Sequence, residues 1–488
     1  MIVEILGAKM LAPYFGTSHF VWTAQIAVTL LALASGYYLG GRWVDRSAQL
    51  GRLYTAIVAA AAYLALTVAA VKQISFACLE AGLAGGSLLA ALILYFVPLC
   101  LLAMTGPFLV RVITTSLAGV GGNVGRLTAI STLGSVAGTL LIGYVLIPFL
   151  PNSLTMYLTA LGLMLLAARY FAAWVPRKKA AAVVALLMVL TAAGAWATLR
   201  TEGFATQYVD EIFRVNSNFG LLQVLQVKDS PRRYYLNDFL TQNTYDTNRH
   251  QGLSMFTYAL HGLARAYAPK VDDVLCIGMG VGLVPMDFAR EGARVEVVEI
   301  NPAIVPVAQK FFDLDPTKFT LHIGDGRHFL NATTNRYDAV VLDAFLGDSS
   351  PSHLMTREAF TAIRRVLRPD GVLVINAFAN PDPEEDFFAA SLSKTLAAVF
   401  PSVRIHRGSV GNTLYVSSLR TNAEPLREPD YAAMHPAVTD QVRDAFRTLR
   451  ETNPDHGRVL TDDFNPVEFF DARNREKTRL ALAQGMKE

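Results

Sequence analysis

Between Val274 and Glu299 the chain reads VLCIGMGVGLVPMDFAREGARVEVVE, an order that few folds accommodate. The apolar run Val274 to Ile277 has the length and branched composition of a buried parallel strand. It enters Gly278-Met279-Gly280-Val281-Gly282, then a helical stretch, then a second apolar run, Val295 to Val298, closed by Glu299. Glycines let the turn adopt positive φ and let a ligand approach the main chain. An acid at the tip of the second strand is placed to accept hydrogen bonds from ribose hydroxyls. Glycines kept for packing alone are the alternative, and the strands downstream weigh against it.

Phe319 to Ile323 reads as a further strand, ending at Gly324-Asp325-Gly326, where Asp325 can meet the edge of an adenine. Tyr337 to Leu342 is an apolar strand that delivers Asp343 to the carboxyl ends of the sheet, where open α/β sheets bind ligands. A helix over Arg357 to Val366 and a strand over Gly371 to Asn376 continue the alternation. Glu299, Asp325 and Asp343 thus end successive predicted strands on one rim. Alone, each reads as a helix cap or turn residue. Together, beside a glycine turn, they suit a nucleoside cosubstrate, and a sulfonium or amine gains from nearby carboxylates. Upstream, alternating runs at Gly220 to Val227 and Arg233 to Leu240 predict a small antiparallel sheet. A helix over Ser254 to Tyr267 links that sheet to the glycine turn.

The 488 residues allow two to four domains, and 52% hydrophobic against 17% charged is too apolar for a purely soluble protein. The excess lies in residues 1–198, where seven candidate membrane spans are expected, at 1–14, 20–40, 53–71, 87–110, 127–150, 153–174 and 180–198. The first is short: either Met1 is a late start that truncates a longer helix, or the segment enters the bilayer partway. Gly134 to Gly138 offers a small-xxx-small face for close helix packing. No acid sits in the middle of a span, so an obvious proton relay is missing.

Basic residues cluster at Arg42, Arg46 and Arg52, at Arg111, and at Arg177-Lys178-Lys179, all in loops on one side, which should be cytoplasmic. If 180–198 spans, the C-terminal half lies outside the cytoplasm; if that alanine-rich segment is re-entrant or interfacial, it stays inside. A net charge of +3 implies no nucleic-acid partner. The three cysteines, Cys78, Cys100 and Cys276, have no metal-type spacing and make no disulfide framework. The N-terminal apolar stretch lacks a basic n-region, so no cleavable signal peptide is read there. Gly41 to Arg46 with Gly51-Arg52 resembles the cytoplasmic loop motif of major facilitator transporters.

Several motifs carry a wider resemblance. LNDFLTQ (236–242), Tyr258, the glycine turn, VEINP (298–302), LHIGDGRHFL (321–330) and YDAVVLDAF (337–345) resemble the polyamine aminopropyltransferase, or spermidine synthase, family. AKMLAPYFGTS ending at Ser18, residues 122–148 and LTDDFNPVE (460–468) resemble its bacterial branch fused to an N-terminal membrane domain. The fold implied is an α-helical multi-pass membrane domain followed by an α/β Rossmann-like domain of the S-adenosylmethionine type, with a small N-terminal β-sheet. The expected division is 1–199 transmembrane, 200–250 small β subdomain, 251–420 Rossmann-like and 421–488 a helical tail.

The resemblance implies that Gln242, Gly278, Gly280, Gly282, Glu299, Asp325 and Gly326 hold decarboxylated S-adenosylmethionine, with no permanently bound cofactor and no metal. It implies that Tyr258, with Asp238 and Asp348, lines the acceptor site, and that Asp343 takes the proton of the attacking amine. Partners would be an amine substrate and the lipid bilayer, and a homodimer follows from the habit of soluble relatives. A cytoplasmic cosubstrate would favour the cytoplasmic side for the catalytic half.

There are departures. The acid usual in the glycine turn is Val281, the second acid after the catalytic one is Leu346 with Asp348 nearby, and the glutamate after the tyrosine is Leu260. The tyrosine-bearing acceptor loop has no clear match at Gly408 to Tyr415. Asp462-Asp463 with Glu468 could supply carboxylates if the tail folds over the cleft, or could cap a turn. Two rivals stand beside an aminopropyltransferase: an S-adenosylmethionine-dependent methyltransferase, and a transporter or sensor that binds polyamines or a nucleoside without turnover.

Overall fold

The computed structural model describes residues 1–16, 19–114, 116, 119–175, 178–201, 208–345, 351–382, 385–408, 412–421, 423–453, 455–466, 469, 475–477 and 479–480. They fall into two compact units, Met1–Gly203 and Phe204–Glu488.

The first unit is built of helices α1 (Ile2–Phe15), α2 (His19–Arg46), α3 (Leu50–Leu79), α4 (Gly82–Ile113), α5 (Val120–Phe149), α6 (Asn152–Trp174) and α7 (Lys178–Thr201). Among the described residues, six helices, α2 to α7, are long and apolar enough to cross a membrane by length and composition. The 14 residues of α1 rise only about 21 Å, short of the roughly 30 Å of a hydrocarbon core. Close helix packing falls elsewhere than expected. Gly134 has no neighbour within 4 Å of where its Cβ would stand, and Gly138 meets only Ile2. The segment Val120–Leu141 buries none of its side chains, so its small face is not used within the unit. The tight approach is between α2 and α4, where a Cβ on Gly36 would lie 2.4 Å from the Cys100 carbonyl oxygen. Tyr54 and Tyr170 stack at 3.9 Å and tie α3 to α6. The residues of the transporter-like motif, Gly41 to Arg46, are the last turns of α2, with Arg42 donating to Tyr38 Oη at 2.9 Å.

The second unit holds two sheets. The smaller is an antiparallel meander of β1 (Val209–Ser217), β2 (Gly220–Val227), β3 (Arg232–Asn237), β4 (Leu240–Asp246) and β5 (Gln251–Gly252). The run expected as one strand over Arg233 to Leu240 is broken at Asp238-Phe239. Both residues take positive φ, 47° and 65°, as a two-residue hairpin turn of the right twist requires.

The larger sheet comprises β6 (Asp273–Ile277), β7 (Arg294–Glu299), β8 (Thr320–Ile323), β9 (Tyr337–Leu342), β10 (Leu367–Ala377), β11 (Ser402–Arg407), β12 (Thr413–Ser418) and β13 (Leu449–Arg450). Its order is β13-β11-β12-β10-β9-β6-β7-β8, with β6 to β10 parallel and β12 antiparallel to both its neighbours. Successive residues of the central strands alternate between two cores. Val274, Cys276, Ala339 and Val341 enter one, while Leu275, Ile277, Val340 and Leu342 enter the other. Burial on both faces is why these strands read as continuous apolar runs rather than alternating ones. The chain moves outward from β6 to β8 and returns on the other side as β9, so the carboxyl ends of β6 and β9 flank a topological switch point. The described residues of the tail expected to be helical include the helix Pro436–Arg447 and then β13 at the sheet's edge.

Candidate active site

The glycine turn is fixed by main-chain geometry. Gly278 sits at φ +92°, and a Cβ there would lie 2.2 Å from the carbonyl oxygen of Asp343. Its N–H donates to the Val298 carbonyl, and the Asp343 N–H donates to the Ile277 carbonyl, both at 2.9 Å. The tips of β6, β7 and β9 are thereby laced together, and only glycine leaves room for it.

Three carboxylates stand on this rim. Glu299 Oε2 accepts from the Met279 N–H at 2.9 Å, and Oε1 accepts from the Asn301 N–H at 2.7 Å. Burial pushes the Glu299 carboxyl up from its ordinary range, and the N–H groups of Asn301 and Met279 pull part of the way back. Asp325 caps the helix Gly326–Ala332 through the His328 N–H at 2.9 Å, and its other oxygen meets His353 Nε2 at 2.8 Å. Burial opposes its ionisation, but the His328 N–H and then His353 outweigh it and hold this carboxyl below the usual range. Asp343 stands half-buried in the pocket wall, with protein packed around its carboxyl. That enclosure pushes its carboxyl up to about 6, against the pull of a hydrogen bond from Asn376 Nδ2 at 2.9 Å.

These groups line one pocket of about 900 Å³ between its atoms, mouth included. Of the residues predicted from the sequence, Gln242, Gly278, Gly280, Glu299, Asp325, Gly326 and Asp343 lie in its wall. Three do not stand there, and a fourth lies outside the described residues. Gly282 (φ +87°) starts the helix Leu283–Arg290 and packs against Leu314. Tyr258 is buried, its hydroxyl donating to the Gly252 carbonyl at 3.0 Å, and the aromatic ring its helix contributes to the pocket is Phe256. Asp238 is committed to the hairpin, accepting from the Leu221 N–H at 2.9 Å. Asp348 lies outside the described residues, as do Leu346 and Glu468. Val281 is buried in the core, its N–H donating to Asn243 Oδ1 at 3.3 Å. Asp462 accepts from Arg327 and Thr356 and so fastens the tail, away from the pocket wall.

Sequence reasoning missed Asn243, Phe256, His353 and Asn376. Asn376 carried a signal, a lone amide within the apolar strand VLVINAFA. His353 carried none, because its partner Asp325 is met through space.

A parallel sheet of this order, with a glycine turn at the switch point and carboxylates on the surrounding tips, defines a Rossmann-like fold of the S-adenosylmethionine-dependent type. Residues 255–407 match the spermine/spermidine synthase domain. A polyamine aminopropyltransferase of Vibrio vulnificus is 30% identical over 216 residues, covering 42% of this chain and 71% of that one. A probable polyamine aminopropyl transferase of Bifidobacterium longum is 27% identical over 323 residues, 62% of this chain and 70% of that one. Spermidine synthase from Thermotoga maritima superposes with a TM-score of 0.37 at 17% identity, over 50% of this chain and 81% of that one. The chain belongs to the polyamine aminopropyltransferase family and is by that membership an aminopropyltransferase enzyme.

Proposed function

We propose that this protein is a membrane-anchored aminopropyltransferase, taking the aminopropyl group of decarboxylated S-adenosylmethionine and passing it to an amine. A neutral amine nitrogen attacks the methylene beside the sulfonium. The C–N bond forms as the C–S bond breaks, the bonding pair leaves with sulfur as methylthioadenosine, and the nitrogen's surplus proton passes to Asp343. The observation that carries this reading is the enclosed Asp343 carboxyl, pushed up to about 6 and facing a pocket shared with Glu299 and Asp325. A base of that proton affinity is ionised at neutral pH yet still able to accept a proton. Glu299 suits the ribose hydroxyls and Asp325 the adenine edge. The sulfonium is already a good leaving group, so holding the nitrogen in line accounts for much of the remaining acceleration.

Six helices of spanning length and the basic residues at their ends, Arg42, Arg46, Arg52, Arg111 and Lys178-Lys179, support multi-pass attachment to the cell membrane. Basic residues favour the non-cytoplasmic side for the catalytic unit if Lys179–Thr198 crosses, whereas supply of the cosubstrate favours the cytoplasmic side. Protease protection of the C-terminal unit in sealed vesicles of known orientation distinguishes the two.

Val281 favours a second reading, methyl transfer from S-adenosylmethionine, because a buried valine stands where relatives carry an acid for the aminopropyl nitrogen. One experiment separates them. The purified full-length protein is incubated with each cosubstrate and a panel of amines. Methylthioadenosine release from the decarboxylated form supports aminopropyl transfer, S-adenosylhomocysteine from the other form supports methyl transfer, and neither product leaves binding without turnover.

A further inference from the structure

Asp343, Asn376 and Asn412 stand in a row across three adjacent strands. Leu342 pairs with Ile375 in parallel register, so Asn376 follows on β10 beside Asp343 at the tip of β9. Asn376 pairs with Leu414 on antiparallel β12, which brings Asn412, just before that strand, alongside it. Asn376 Nδ2 donates to Asp343 Oδ1 at 2.9 Å, and Asn412 Nδ2 donates to Asn376 Oδ1 at 3.0 Å. The direction of the chain is forced. An ionised carboxylate only accepts, so the Asn376 NH₂ must face it; the Asn376 carbonyl then faces Asn412, which must donate in turn. Asn376 is 1% exposed, so water does not readily replace its amide, while Asn412 is half-buried at the outer end of the row.

We propose that Asn376 and Asn412 form a two-amide relay that positions Asp343, holding Oδ1 and leaving Oδ2 to take the amine's proton. The proposal rests on the aminopropyltransferase reading and names positioning residues for it. Hydrogen bonds in series polarise one another, so the outer amide should act through the inner one. Among the described residues, the titratable groups around Asp343 are the buried, neutral Cys276 thiol of β6 and, in the pocket wall, Glu299, Asp325 with its partner His353, and Tyr235. None of these donates to its carboxylate, and among the described residues the side chain that does is Asn376.

The test compares wild type, Asn376→Leu, Asn412→Ala and the double variant in the full-length protein. Two readouts are followed: the pH profile of kcat/KM for methylthioadenosine release, and the pH dependence of carbodiimide labelling at Asp343 read by peptide mass spectrometry. The protonated carboxyl gives its proton to a carbodiimide nitrogen and adds through oxygen to the central carbon, so the second readout follows protonation and needs no turnover. Asn376→Leu should move both midpoints up by about one pH unit and lower kcat/KM about 100-fold, within the range expected for a misplaced general base. Asn412→Ala should move them the same way by less, and the double variant should match Asn376→Leu alone. An unmoved midpoint in a cooperatively melting Asn376→Leu protein, or additive effects of the two changes, overturns the relay. Should Asn376→Leu fail to fold, an unmoved midpoint in Asn412→Ala does the same. If no amine yields methylthioadenosine, the functional reading fails while the labelling midpoints still decide the relay.

Discussion

The carbonyl oxygen of Asp343 lies 2.2 Å from where a Cβ on Gly278 would stand, so the glycine turn and the candidate base share one main-chain contact. Both sides of that contact are backbone, and neither can move without parting β6 from β9. Gly278→Ala would meet this clash and also a φ of +92°. The variant is expected to displace Asp343 and to lose at least about 100-fold in kcat/KM, since an ångström of misplacement costs that much. A steady-state assay with a thermal melt checks it. Full activity in the variant would mean that the two tips can separate freely.

The proton affinity of Asp343 sets a pH dependence. Its carboxyl is pushed up to about 6, and the base must be ionised to act. kcat/KM, which reports the free enzyme, is expected to rise with pH through a midpoint near 6 and then level until another group titrates. Bound sulfonium favours the carboxylate, so the midpoint in kcat should lie lower. An acid limb near the ordinary 3.8 of an aspartate would show that the carboxyl is not enclosed in solution.

Tyr258 and Phe256 sit two residues apart on one helix, and the structure gives them different work. Tyr258→Phe removes a buried hydrogen bond to Gly252 and is expected to cost about 1 kcal/mol of stability while leaving KM for the amine unchanged. Phe256→Ala, in the pocket wall, should raise that KM. Denaturant melts and Michaelis curves on both variants separate the roles; the opposite pattern would return Tyr258 to the acceptor site.

The contrast between those two residues shows what the sequence could and could not convey. Period and composition were enough for the strands, because residues buried on both faces must be apolar whatever their neighbours. The acids at the tips were legible for the same reason, as each ends an apolar run. What escaped was side-chain direction around loops and helices. Tyr258 resembled a site residue by motif, yet the pitch of its helix turns its ring inward and presents Phe256 instead. Asp238 read as an acceptor-site acid, but its positive φ commits it to a hairpin. His353 gained meaning only from a partner 28 residues away in sequence, and Asn376, a visible lone amide in an apolar strand, found its role only through one 33 residues away. The unused small face of α5 is a case of the same kind, since a motif for close packing does not say which helix is near.

Asp343→Asn should separate stability from activity. In the folded protein the Asp343 carboxyl ionises near 6, against the 3.8 of an aspartate in an unfolded chain, so folding disfavours its charge. Below about pH 3.8 the group is neutral in both states and contributes nothing. Between that value and about 6 the unfolded state is increasingly favoured, and above 6 the penalty is constant, on the order of 3 kcal/mol at most. Asparagine carries no charge and escapes this penalty, while its carbonyl can still accept from Asn376 at the position of Oδ1. The variant is therefore expected to lose about 10³-fold or more in kcat/KM. At about pH 8 it should melt at a higher temperature than wild type, with the two melting curves converging as the pH falls towards about 4. Paired melts across that range check the sign as well as the size. A variant less stable than wild type under the alkaline condition would mean that the Asp343 carboxylate is favoured by its surroundings, and the case for it as a poised base would fall with that result.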